Sequence, residues 1–307
     1  MLLAYAARRI THLIPTLLLV SFIVFAMVRL IPGDPVLAIA GQDATPEVMR
    51  EVRRSLGLDE PLLTQYASYL AGLARGDLGT SIRSRQPVWR EIARRLPATL
   101  QLAVAGITIS LLVGIGLGTA AALRPGGTVD AVARFVTLFG VSSPTFWTGL
   151  LFMLAFAYYW RLFPIAGSGT WQHLVLPAVT VALTSVAFIS RLTRTSLVEA
   201  LSQDYVRTAH AKGVSTFRVV LKHALRNALA SPITVAGLEF GRLLSGVIVI
   251  EIIFAWPGTG RLLIDSIQFR DFPIIQGLIL TYAVIFALVN VAVDLSYALL
   301  DPRVTLE

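Results

Sequence analysis

Residues 10–31 read ITHLIPTLLLVSFIVFAMVRLI and follow the pair Arg8 and Arg9. A helix needs about 20 mostly apolar residues to cross a hydrocarbon core of about 30 Å, so this run is long enough to span a bilayer. It also has the look of a signal peptide, but the apolar stretch is too long for one. No small-residue cleavage site follows either, only Ile31, Pro32, Gly33, Asp34 and Pro35. The run is therefore read as an uncleaved first span.

Five further apolar blocks predict spans at Ala98 to Leu123, Phe135 to Trp160, Leu174 to Leu192, Pro232 to Ala255 and Ile274 to Leu299. The 307-residue chain is 55% hydrophobic and 14% charged, against about 25% charged in a soluble domain. The fold class is thus all-α integral membrane with six transmembrane helices. The net charge of +8 sits largely beside the apolar blocks, where it sets orientation rather than attracting nucleic acid. The chain has no cysteine, which excludes disulfides, thiolate nucleophiles and thiolate metal sites.

With the amino terminus inside, the inner segments hold twelve basic residues: Arg8, Arg9, Arg124, Arg134, Arg191, Arg194, Arg207, Lys212, Arg218, Lys222, Arg226 and Arg303. The short outer loops hold Arg161, Arg261 and Arg270. The positive-inside rule then predicts both termini on the cytoplasmic side. Residues 1–31 form the inner terminus and first span, 32–97 an outer segment, 98–299 a five-span core, and 300–307 an inner tail. The outer segment carries helical signals: Thr45 and Pro46 open a run stopped by Gly57, and Leu62, Tyr66, Tyr69, Leu70 and Leu73 keep helical spacing up to Gly76. Val88, Trp89, Ile92 and Leu96 repeat likewise before Pro97 opens the second span. A folded helical cap outside the membrane follows, shielding the bundle or docking an external partner.

One inner connection, residues 191–231, is far longer than the others. Leu197, Val198, Leu201 and Tyr205 recur at helical spacing, and Gly213 breaks the run. Ser215 or Thr216 can then cap a second helix with Phe217, Val220, Leu221, Ala224, Leu225 and Ala228 on one face and Arg218, Lys222 and Arg226 beside it. Such a helix either fits a groove in a cytoplasmic motor protein or rests on anionic headgroups.

Charges at membrane depth point to function. Glu239 and Arg242 lie three residues apart on one helical face, as a pathway pair or a static ion pair. Gly237, Gly241 and Ser245 form a small-residue row at four-residue spacing suited to helix packing, as do Gly114 and Gly118 with Gly116 in the second span. Glu251, Arg29 and Asp294 lie nearer span ends and are expected to reach interfacial water. His12, His173, His210 and His223 are too dispersed for a metal site. Lys212 and Lys222 follow Ala211 and Leu221 rather than glycine, so no P-loop exists. Pro257, Gly258, Thr259 and Gly260 read as a turn, and catalytic residues are expected nowhere in the chain.

Asp204, Tyr205, Val206, Arg207, Thr208, Ala209, His210, Ala211, Lys212 and Gly213, followed by His223 to Ala228, resemble the EAA loop of bacterial ABC importer permeases. The resemblance is to the B-type subunit of the dipeptide, oligopeptide and nickel group. Arg207, Thr208 and Ala209 stand where the general motif has Glu, Ala, Ala, so its first glutamate is absent. Ile31 to Pro35, Leu56 to Asp59 with Pro61, Gly76 to Ser81, Arg95 to Leu100, Pro144 with Phe146 and Trp147, Phe254 to Gly260 and Leu300 to Arg303 extend the likeness along nearly the whole chain.

That resemblance implies a type I importer permease fold and a translocation subunit for dipeptides or oligopeptides. Nickel, haem or another small solute, or secondary transport, are the competing readings. It also implies a homologous second permease subunit, two cytoplasmic ATPase subunits, an extracytoplasmic substrate-binding protein, and the lipid bilayer. ATP and Mg would bind those ATPases and no cofactor this chain. Asp204, Tyr205, Arg207, Thr208, Ala209, Ala211, Lys212, Gly213 and Phe217 would then form the ATPase-coupling loop.

Overall fold

A computed structural model describes residues 2–30, 45–55 and 59–300. Among them every regular element is a helix, joined by turns and loops that include an isolated bridge between Thr80 and Pro87. Helix α1 spans Leu2–Leu30, α2 Pro46–Ser55, α3 Leu62–Ala74 and α4 Val88–Leu123. Next come α5 at Thr128–Ser142, α6 at Thr145–Phe152 with a π-helical continuation at Met153–Tyr159, α7 at Trp171–Leu201 and α8 at Asp204–Ala211. A mixed helix, α9, fills residues 216–228, followed by α10 at Ala230–Ile253, α11 at Thr259–Gln268 and α12 at Phe272–Leu300. The expected features at Ile31 to Pro35, Leu56 to Leu58 and Asp301 to Arg303 lie outside the described residues.

Among the described residues, three helices are long and apolar enough to cross a membrane: α4, α7 and α12, with mean hydropathies of 2.1, 1.8 and 2.2. Two bent pairs raise the number to five, and α1 contributes a shorter apolar stretch, Thr11–Met27. The third expected span is broken. Its halves, α5 and the α6 segment, meet at 114° across Ser143 and Pro144. Proline has no N–H for the helical ladder and forces the preceding residue out of the α region; Ser143 is accordingly extended, at φ −90° and ψ 130°. Pro97 acts differently. The helix expected to end before it instead runs through it unbroken as α4, because one missing donor leaves the rest of a hydrogen-bonded helix intact.

The chain divides into two compact units. The first is built on Ala98–Gly260 with the C-terminal part of α12. Leu102 of α4, Val181 of α7 and Val247 and Ile250 of α10 form one buried core, completed by Phe254 and Trp256 just beyond α10. A second core joins Ala122, Leu197 and Ala200 to Val206, Val219, Val220, Ala224 and Ala228. The second unit comprises Ala7–Pro97 and Arg261–Ala287. Val88 and Ile92 of α4 pack there against Leu262 of α11 and Ile274 and Leu278 of α12. Helix α3 is tied to α1 by Tyr66, which hydrogen-bonds Ser21 at 2.9 Å and meets Phe22 and Phe25 edge-on. Burial pushes the hydroxyl of neighbouring Tyr69 up to about 12.

Candidate functional site

The long connection after α7 is built on an apolar anchor and a glycine turn. Helix α7 ends at Leu201, so the single helical run expected through Tyr205 is interrupted at Ser202 and Gln203 before α8 begins at Asp204. The break turns Val206 inward, where it is buried, and leaves Tyr205 exposed. At the far end of α8, the Gly213 N–H bonds the His210 carbonyl at 2.9 Å and the Val214 N–H bonds the Ala209 carbonyl at 3.2 Å. Both bonds define a Schellman stop, whose residue in the left-handed region is here Gly213 at φ +74°. Val214 and Ala209 also pack against the same apolar core, the contact that accompanies such a stop.

Helix α9 buries Val220, Ala224 and Ala228 of the expected face and packs Leu225 against them, but departs from it at two positions. Val219, Val220, Ala224 and Ala228 are buried, whereas Phe217 is 75% exposed and Leu221 is exposed as well. The cause is a π-helical turn over Val219–Ala224. A π turn places residues five apart on one face, so Val219 and Ala224 share the core and the stripe of an ideal α-helix is rotated. Asp204 and Arg207 pair on the surface at 3.8 Å, and Thr208 donates to the Asp204 carbonyl at 3.0 Å. Ala211 and Lys212 are exposed and Ala209 is half-buried. Tyr205, Arg207, Lys212 and Phe217 are each exposed on α8, its stop and α9, while Val206 and Val219 pack in the core shared with Leu197 and Ala200 of α7.

Deep in the first unit, Glu239 and Arg242 form the ion pair their spacing predicts, at 2.8 Å. The Glu239 residue is 5% exposed and also accepts from Ser185 Oγ at 2.9 Å. The Arg242 side chain is 64% exposed and lies 5.6 Å from the Phe188 ring centre. Both residues line a cavity of about 240 Å³ with Thr184 and Ser185. A buried carboxylate beside an exposed guanidinium makes a polar wall that can meet a charged solute, because the pair neutralises itself without closing the space.

Glu251 departs from expectation. Rather than reaching interfacial water, its residue is 0% exposed. Thr99 Oγ1 donates to its carboxylate at 2.6 Å, and the Gly260 N–H does so at 2.7 Å. The Thr259 N–H in turn donates to Thr99 Oγ1 at 2.8 Å. The segment expected as a simple turn bends at Gly258 and opens α11 at Thr259 and Gly260, where amide donors left without helical partners favour a negative charge. A Cβ at Gly258 would collide with the Glu251 carboxylate. The run Phe254 to Gly260 hinted at this site, but Thr99 lies 152 positions from Glu251 and no periodicity links them. Arg29 does not simply reach water either: it donates to Gln65 Oε1 at 2.6 Å and stacks 3.5 Å from the Phe25 ring centre.

The small-residue rows differ in how closely they are approached. A Cβ at Gly114 would lie 2.9 Å from Ile189 Cβ, and one at Gly118 2.5 Å from the Ser190 carbonyl, so α4 and α7 approach closely at both. Gly116 faces open space instead. Gly237 meets Val293 of α12. Gly241 is half-buried in α10, and Ser245 lies in that helix with its side chain, like that of Asp294, outside the described residues.

At the start of α5, Asp130 is fully buried and accepts from Arg194 at 2.6 and 3.1 Å and from the Gly126 N–H at 2.9 Å. Hydrogen bonds from Arg194, then from Gly126, hold its carboxyl down at about 2. Among the described residues no group of histidines and carboxylates is placed to hold a metal ion.

Comparison with known proteins follows this architecture. Residues 114–306 match the family described as binding-protein-dependent transport system inner membrane component, and residues 2–103 match its N-terminal counterpart. The chain is 44% identical over 303 residues to the glutathione transport system permease protein GsiC of Salmonella choleraesuis, covering 99% of each. It is 43% identical over the same length to the protein of that name in Escherichia coli K12. The fold resembles a chain of the MetNI methionine ABC transporter in inward-facing conformations, with a TM-score of 0.55 at 18% identity, covering 69% of this chain and 96% of the other. The chain is a multi-pass inner-membrane transport protein and belongs to the binding-protein-dependent permease family, as an ABC importer permease of the dipeptide and oligopeptide group.

Proposed function

We propose that this chain is one permease half of an ATP-driven importer that moves dipeptides or oligopeptides across the cytoplasmic membrane by alternating access. The observation that carries the reading is the surface of α8 and α9. Tyr205, Arg207, Lys212 and Phe217 are exposed there, on a frame anchored by buried Val206 and Val219. An exposed aromatic beside cations is the composition of a protein interface. In this reading the surface docks an ATPase subunit, two of which bind ATP and Mg, while this chain binds neither.

The remaining parts follow from the same reading. Six spans put both termini in the cytoplasm, with α1 as the first span and residues 32–97 as an outer cap. A homologous second permease completes the pore, and an extracytoplasmic binding protein delivers cargo. Glutathione, named for the relatives, is a tripeptide and favours peptide cargo. The Glu239 and Arg242 wall would face the passage, where a zwitterionic solute can exchange with the pair.

The test reconstitutes the complete transporter with Phe217→Ala or Gly213→Pro. Each variant is expected to insert normally while cargo-stimulated ATP hydrolysis falls by about tenfold or more, the usual cost of removing an aromatic anchor. Wild-type uptake by both variants would reject the coupling role.

A further inference from the structure

The coupling-loop end of the membrane-spanning helices carries a basic cavity of about 400 Å³ between α5 and α7. Arg134, Arg191 and Arg194 line it with Thr137, Ser190 and Thr195. Among the described residues, one carboxylate balances the three guanidinium groups: Asp130 bonds Arg194 at 2.6 Å and lies 3.8 Å from Arg134. Arg191 makes no ion pair among the described residues, although it points to the same space. Ser190 is 1% exposed, so a hydroxyl-bearing residue buried in the helix interface meets the cavity beside three donors of positive charge.

Three cations and one already occupied carboxylate leave an unbalanced positive charge, which a phosphate oxyanion matches better than a neutral or cationic group. The flank of the cavity decides what carries the phosphate. Along α5, Val132, Phe135 and Leu138 are exposed large apolar side chains at helical spacing, and Leu138 reaches the cavity itself. An apolar stripe running from a cluster of arginines suits a molecule with a phosphate at one end and acyl chains at the other.

We propose that the Arg134, Arg191 and Arg194 cavity binds a phosphate-bearing anion, supplied by the headgroup of an anionic phospholipid in the leaflet on the coupling-loop side. The guanidinium groups hold the phosphate oxygens, and the chains lie along Val132 and Phe135; the Thr137 and Thr195 hydroxyls donate to the Ala133 and Arg191 carbonyls and only line the space. Because α7 continues from Arg194 to Leu197 and Ala200, which pack on α8 and α9, the lipid would brace the frame of the coupling surface.

Purified full-length chain, and its Arg191→Gln, Arg191→Lys and Arg134→Gln variants, can be titrated with phosphatidylglycerol, phosphatidylcholine and inorganic phosphate and the retained ligand weighed by native mass spectrometry. Wild type should prefer phosphatidylglycerol to phosphatidylcholine, and each glutamine variant should lose about fivefold of that preference, with Arg191→Lys keeping most of it. Inorganic phosphate that binds without lipid and is lost with Arg191→Gln keeps the anion chemistry but assigns it to free phosphate. Equal retention of both lipids with no phosphate binding overturns the proposal, as does a preference unchanged in both glutamine variants. The readout needs neither ATP nor peptide, so its failure is separate from failure of the transport reading.

Discussion

The Glu251 node and the α8–α9 surface treat exposure in opposite ways. At the node a carboxylate is withdrawn from solvent and met by Thr99 and the Gly260 amide; on the surface Phe217 and Tyr205 are left uncovered by this chain. Burying a charge is tolerated only when its hydrogen bonds are made, and an exposed aromatic in a well-packed chain is tolerated when something else covers it. The first region is therefore a structural joint. The second is the contact that the proposed function assigns to an ATPase subunit.

The largest expected effect tests the joint. Glu251→Ala leaves the Thr99 hydroxyl and the Gly260 amide without their acceptor, at about 1–3 kcal/mol each. The purified variant should melt well below wild type, with Glu251→Gln in between; an unchanged melting temperature would remove the node from the account of stability. Gly118→Val places side-chain atoms against the Ser190 carbonyl and should cost about 1–3 kcal/mol through overpacking. If it melts like wild type, α4 and α7 are not in the close contact described.

Gly213→Ala puts a side chain into the left-handed region, which costs about 1–2 kcal/mol. Its loss of coupled ATP hydrolysis should exceed its loss of stability, since the turn positions α8 more than it supports the core; proportional losses would make the turn merely structural. Asp130 supplies a pH signature. Its carboxyl sits at about 2 rather than the ordinary 3.8, so the stability it contributes is present above pH 3.8 and is lost as pH falls toward 2. Melting recorded between pH 5 and pH 2.5 should fall more steeply for wild type than for Asp130→Asn, and parallel curves would contradict the pairing with Arg194. The smallest stability effect is expected for Phe217→Ala, below about 0.5 kcal/mol. A large drop in melting would mean that Phe217 packs within this chain rather than against a partner.

The legible parts were those governed by local rules. Blocks of apolar residues announced spans, and Gly213 announced a helix stop because only glycine enters the left-handed region freely. Glu239 and Arg242 announced an ion pair because three residues bring side chains onto one helical face. The face of α9 was misread at Phe217 and Leu221, since a π turn follows from packing and leaves no mark in residue spacing.

Sequence alone determined the membrane class, the helical content, the arginine-flanked spans and the long connection between residues 191 and 231, all set by hydropathy, charge and helical period. Only the tertiary structure decided that Glu251 is buried against Thr99, that Pro144 breaks a span while Pro97 does not, and that Arg134, Arg191 and Arg194 share one cavity. Those outcomes depend on groups brought together from distant positions, whose hydrogen bonds and close contacts exist only once the helices have packed.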